Sequence, residues 1–186
     1  RSGGSLTSVE GRVIQNDRVC TILVAGFGAS RPTNIMIDEQ TRPEVAPPQE
    51  YASLPYIEGI VPAFTQHFDF RMTNGLLPFS GASEAHIQGW IRSRDEGAID
   101  EAALLSLIDA WPPPIWTLAT RPIPGSTISW QVNLLADLGA VCLDSENFWF
   151  YESRSRASSH GYADCDGALF GPEGELIATS KQLFVE

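Results

Sequence analysis

Only one stretch of this chain switches from strand-like to helical periodicity, and that single switch constrains the architecture more than any other feature. The run from Asp100 to Trp111 offers Asp100 as an N-cap, acidic Glu101 in the first turn, and apolar Leu104, Leu105 and Ile108 at helical spacing. Pro112-Pro113-Pro114 ends it, because proline lacks the N–H that a continuing helix needs. The remaining ordered segments read as strands. Leu6 to Phe27 is β-branched through Val9, Val13, Val19, Ile22 and Val24, and breaks at Asn16-Asp17 as a hairpin does. Phe64–Thr73 and Ala85–Ser93 flank Asn74-Gly75, with partial period-two alternation in the first. After the helix come Thr127–Leu135, Asn147–Ser158, Tyr162–Phe170 and Glu175–Val185, the last two joined by the turn Gly171-Pro172-Glu173-Gly174. One helix among antiparallel strands predicts an α+β domain, with the helix packed on a curved sheet.

Proline spacing from Ser30 to Pro55 excludes regular strand or helix there, so the stretch reads as a linker. A polyproline-type binding segment is the other reading, though a PxxP repeat is absent. The expected organisation is closing strands of one unit over 1–30, a linker over 31–56 and a domain over 57–186. Hydrophobic residues make up 43% and charged ones 19%, the balance of a folded domain. Twelve Lys and Arg against 23 Asp and Glu give a net charge of −11, which argues against nucleic acid or an anionic membrane as partner. Apolar runs such as Cys20–Phe27 are far shorter than the ~20 residues of a membrane helix. No membrane span and a cytoplasmic location are therefore expected.

Cys20, Cys142 and Cys165 lack CxxC spacing, and His67, His86 and His160 stand apart, so structural thiols and no metal site are expected. Between Asp164 and Asp166, the Cys165 thiolate would meet like charge. No GxSxG elbow, phosphate loop or GxGxxG unit is present. A hydrolase on this chain would therefore activate water with a carboxylate. Asp109 is the candidate, since it follows Leu104, Leu105, Leu107 and Ile108, where poor solvation raises a carboxyl pKa. A negative charge at a helix C-terminus is unfavourable and so calls for a reason. The alternative is that Asp109 caps the segment that follows. Thr127 and Gln182 are polar residues on apolar strands; each alone reads as outward-facing, whereas with Asp109 they could hold one water. Arg92 with Arg94, and Arg154 with Arg156, sit at spacing two and could present guanidinium groups to phosphate, or simply lie on solvated faces.

The layout and these residues together resemble the acyl-CoA thioesterase II family and its thioesterase-like relatives, which have a double hotdog fold. The likeness runs from about Ile57 to Glu186. It rests on Leu-Ile-Asp109-Ala, Ser-Thr127-Ile-Ser-Trp, the run from Gly161 to Ala178 and Thr-Ser-Lys-Gln182. The resemblance implies that Asp109, Thr127 and Gln182 activate the hydrolytic water on a fatty acyl-CoA. It further implies that a backbone N–H polarises the thioester carbonyl. The acyl chain would lie among Leu104, Ile108 and Trp130, the CoA phosphates would meet arginines such as Arg154 and Arg156, and no metal or redox cofactor would be needed. Residues 1–30 resemble only the closing strands of the family's first repeat. That predicts a truncated double hotdog, either a homo-oligomer or one completed by another chain, because an uncovered apolar sheet face is unfavourable in water. A non-catalytic acyl-binding or structural hotdog protein is the rival reading.

Overall fold

The computed structural model describes residues 4–37, 39–95, 97, 99–139, 141 and 144–186. Cys142 and the first three residues of the expected N-terminal turn lie outside them. The chain divides into two compact units, Arg1–Asp38 and Glu39–Glu186.

The first unit is an antiparallel ribbon of β1 (Leu6–Gln15) and β2 (Arg18–Gly28), in register from Leu6 opposite Gly28 to Gln15 opposite Arg18. Asn16 and Asp17 turn it with φ of 50° and 59°, the left-handed pair that two-residue hairpins require. Val13, Ile14, Ile22 and Val24 of this ribbon are exposed.

In the second unit, β3 (Phe68–Met72) and β4 (His86–Ser93) precede α1 (Glu101–Asp109). After it come β5 (Ser126–Leu134), β6 (Trp149–Ser159), β7 (Tyr162–Phe170) and β8 (Leu176–Val185). The six strands form one antiparallel sheet in the order β3-β4-β6-β7-β8-β5. The strand expected from Phe64 starts only at Phe68. Pro62 instead opens a 3-10 turn over Ala63–His67, fixed by the Thr65 N–H and hydroxyl, which both donate to the Pro62 carbonyl.

Helix α1 begins as the sequence predicts, with the Asp100 carboxylate accepting from the Ala103 N–H at 2.8 Å. Leu104, Leu107 and Ile108 are buried, whereas Leu105 is only partly so. These residues meet Ile87 and Ile91 of β4, Trp149 and Tyr151 of β6, Leu169 of β7 and Ile177 of β8. The opposite face of the sheet carries its own cluster of Trp90, Phe150, Ala168 and Phe170, covered by Val45 and Tyr51. Adjacent aromatic residues on β6 therefore serve opposite faces, as the two-residue period of a strand dictates.

Among its described residues the proline-spaced stretch has neither strand nor α-helix, only a 3-10 turn at Pro48–Glu50, and part of it lies on this second face. The Trp90 indole donates to the Ala46 carbonyl at 3.1 Å, Arg71 to the Pro48 carbonyl at 2.8 Å, and the Leu54 N–H to the Phe70 carbonyl at 2.8 Å. Asp69, only 2% exposed, organises the arginines there, with Arg71 at 3.0 Å, Arg92 at 3.6 Å and Arg94 at 3.8 Å.

Candidate active site

Pairing between β5 and β8 places the first two site residues. In register Trp130 faces Gln182 and Thr127 faces Phe184, with an irregularity between Thr127 and Ser129. In an unbroken strand, residues three apart point to opposite faces. The bulge adds one residue, so Thr127 and Trp130 both reach the helix-facing side. There the Gln182 amide Nε2 donates to Thr127 Oγ1 at 2.6 Å. That bond occupies one amide proton of Gln182 and one lone pair of Thr127. It leaves the Gln182 carbonyl, its second N–H and the Thr127 O–H available to a water.

Gln182 is opposite Cys165 on its other side, and Ser180 precedes it on the same face. Ser180 Oγ accepts from the Trp130 indole at 2.9 Å, and Ser180 also hydrogen-bonds the phenol of Tyr151, as does Ser153. Tyr151 is buried, stacked on Trp111 at 5.5 Å, and burial pushes its hydroxyl pKa up to about 12. Its ring lies across β7 because Gly167 has no side chain; a Cβ there would come 2.9 Å from Cζ and closer still to Oη. Sequence reasoning missed this Tyr151–Ser180–Trp130 network. The available signal was a tyrosine in the apolar run Trp149-Phe150-Tyr151, whose polar tip must find partners when buried.

Asp109 occupies the last turn of α1, where no basic residue offsets it. Asp109 is exposed on this chain, yet the apolar residues beside it desolvate it in part and raise its carboxyl pKa, and its charge is felt at the Tyr151 phenol. It makes no hydrogen bond to Thr127 or Gln182. Thus the structure joins two of the three residues by a direct bond and sets the third at the helix end, within electrostatic reach of Tyr151. The buried thiol of Cys165 sits 3.1 Å from Ser155 Oγ; burial, and then the charges of Asp164 and Asp166, push its pKa up. A thiol so disposed is no nucleophile.

A family profile described as the acyl-CoA thioesterase C-terminal domain matches residues 41–185. The chain belongs to this family. Among solved structures, a conserved protein of unknown function with a hot dog fold from Alicyclobacillus acidocaldarius superposes with a TM-score of 0.88 at 27% identity. That match covers all of this chain and 69% of the other. The acyl-CoA thioesterase II TesB2 of Mycobacterium marinum gives 0.75 at 18% identity, over all of this chain and 70% of that one. The tesB protein of Mycobacterium avium subs paratuberculosis gives 0.74 at 17%, over all of this chain and 67% of that one. No curated protein sequence matches. The fold is therefore an α+β hotdog, a helix wrapped by an antiparallel sheet.

The remaining expected residues fall on both sides of that sheet. Trp130 stands beside Gln182, while Ile108 is 3% exposed and belongs to the core. Arg154 pairs in register with Asp166, adjacent to Cys165, and so faces away from Gln182. Its guanidinium engages Glu152 at 3.1 Å, and that of Arg156 engages Asp166 at 3.4 Å. The two arginines line a cleft with Glu84, Ala85, His86 and Ser155. Among the described residues no group of His, Cys, Asp or Glu is placed to hold a metal ion, and no helix is long and apolar enough to cross a membrane.

Proposed function

We propose that this site hydrolyses acyl-CoA thioesters by general-base activation of water. The observation that carries the reading is the 2.6 Å bond between Gln182 and Thr127, two polar residues 55 positions apart in sequence, on the face of the sheet that carries the helix. Together they offer both acceptors and donors to one water, which fixes its orientation. Asp109 removes a proton from that water as its oxygen attacks the thioester carbonyl carbon. The tetrahedral intermediate then collapses, the C–S bond breaks, and the departing CoA thiolate takes up the proton to leave a carboxylic acid and free CoA. The step involves no change of oxidation state. A carboxyl raised by partial desolvation suits a base, because its conjugate acid is then nearer the working pH.

Trp130, beside Gln182, is assigned to substrate contact, whereas Arg154 and Arg156 can meet CoA phosphates only in competition with Glu152 and Asp166. The exposed Val13, Ile22 and Val24 of the ribbon support a cover from a second copy or another chain, testable by light scattering.

Release of free thiol from a panel of acyl-CoA substrates, read colorimetrically for the wild type and Asp109→Asn, tests the activity. Turnover that depends on Asp109 is the expected result. Absence of release from every substrate overturns it in favour of a non-catalytic acyl-binding protein.

A further inference from the structure

The helix-facing surface around Gln182 carries aromatic side chains joined to a serine hydroxyl toward one end and an apolar cluster toward the other. Toward Ser180 lie Trp130 and Tyr151. Toward Phe184, the residue opposite Thr127, lie Ile115, Ala163 and Cys165 in one apolar cluster. Trp116 stands edge-on to the Phe184 ring at 5.6 Å, and Phe79 lies against Trp116 at 5.2 Å. These separations are those of rings in contact, so the stack is continuous. Phe184 cannot retreat past Gly125, where even a methyl group would collide with its ring.

Phe79 itself is held in a conformation that aromatic residues avoid, with φ of 63°. Its N–H donates to the Trp116 carbonyl at 2.7 Å, and the N–H groups of Gly81 and Ala82 donate to Ala119 and Thr117 at 2.9 and 2.8 Å. Glycine would take this backbone without strain. What the phenyl ring adds is the contact with Trp116, and a strained residue locked by its surroundings is a marker for function.

If hydrolysis runs as proposed above, on which this inference rests, the thioester carbonyl sits at the Gln182–Thr127 pair and its apolar substituent extends toward Phe184. We propose that the Phe79–Trp116–Phe184 stack closes the acyl end of the site and selects short acyl groups over long ones, with Phe184 as the ring the acyl group meets and Phe79 as the far ring that holds Trp116 against it.

The test uses butyryl-CoA and lauroyl-CoA as substrates. The corresponding butyl and dodecyl thioethers of CoA, which cannot be hydrolysed, serve as ligands in calorimetry. Wild type, Phe79→Gly and Phe79→Leu are compared, with circular dichroism confirming the fold. Phe79→Gly removes the ring and the backbone strain together, and Phe79→Leu retains an apolar group should the loop need one. The expected result is that wild type prefers butyryl-CoA by about tenfold or more in kcat/KM. Phe79→Gly then raises the lauroyl-to-butyryl ratio by about tenfold, mainly through KM, and the thioether affinities follow. Equal use of both substrates by wild type, or an unchanged ratio in both folded variants, overturns the stack as the limit while leaving hydrolysis standing. Chain-length-selective thioether binding that Phe79→Gly relaxes, without turnover of either substrate, overturns hydrolysis and retains the stack. Neither binding nor turnover overturns both.

Discussion

Replacing Gly167 by alanine tests whether Tyr151 is seated as tightly as the geometry implies. The new Cβ would lie 2.9 Å from Tyr151 Cζ and 3.2 Å from Cε2, with Oη nearer still. Comfortable carbon contacts begin near ~3.5 Å, so the ring must move by more than about half an ångström. It has little freedom to do so. Trp111 is stacked on one side at 5.5 Å, and Ser153 and Ser180 hold the hydroxyl. Overpacking of this kind costs about 1–3 kcal/mol. Loss of one of the two hydrogen bonds adds about 1 kcal/mol. Relief of glycine's backbone freedom returns about 0.5–1 kcal/mol. The net expectation is a destabilisation of about 2 kcal/mol in urea unfolding, or a fall in melting temperature of roughly 4–8 °C for a domain of this size. Because Oη is the closest atom, the same substitution made in a Tyr151→Phe background should cost about 1 kcal/mol less. Equal costs in the two backgrounds, or a neutral Gly167→Ala, would refute the claim that the phenol lies against β7. Gly28→Ala, where a Cβ meets nothing within 4 Å, serves as the control.

Asp109→Asn should lower kcat by about 10²-fold or more. In the wild type the acid limb of kcat/KM should lie above the ordinary carboxylate value of 3.8, because partial desolvation raises this group. The same shift lowers the stability of the wild type as pH rises from the ordinary value through the raised one, and denaturation against pH should show that slope absent in Asp109→Asn. Thr127→Ala and Gln182→Ala should be strongly non-additive in kcat, the double variant matching the worse single one within about threefold, since the two residues share one hydrogen bond; additive losses in steady-state assays would contradict a shared water. Burial pushes the Asp69 carboxyl up, yet hydrogen bonds from Arg71 and Ser53 and the nearby Arg94 bring it net below 3.8. Its stabilisation is therefore present above the ordinary value and lost as pH falls through the lowered one. Asp69→Asn should cost about 2–3 kcal/mol at neutral pH in urea unfolding, reduced from a fully buried pair because the arginines are partly in water, and should flatten that acid slope.

Local signals carried much of the secondary structure. Asp100 and the apolar spacing after it specify the start and buried stripe of α1, Asn16-Asp17 and Gly171 to Gly174 specify turns, and prolines exclude strand from the region that has none. Each depends only on backbone sterics and on hydrogen bonds between residues close in sequence. The start of β3 was misjudged for the same reason, because the Pro62 turn competes with an alternating pattern that by itself favours strand. Asp109, Thr127 and Gln182 stood out as polar residues on apolar elements, and the motifs around them pointed to the family that the profile match then showed. Their mutual arrangement was not legible. Thr127 reaches Gln182 because β5 pairs with β8 and carries a bulge, and neither a partner strand nor a register irregularity leaves a trace in one strand's own sequence. Arg154 and Arg156 show the same limit: spacing gave them a shared direction, but only the pairing with β7 put Asp166 beneath them and turned them away from Gln182. The sequence thus determined most of the helix, strand and turn segments and marked the polar side chains that stand on apolar elements, since propensity and residue type are local. Tertiary structure alone decided which of those side chains meet, because distance across a sheet is set by strand order and register.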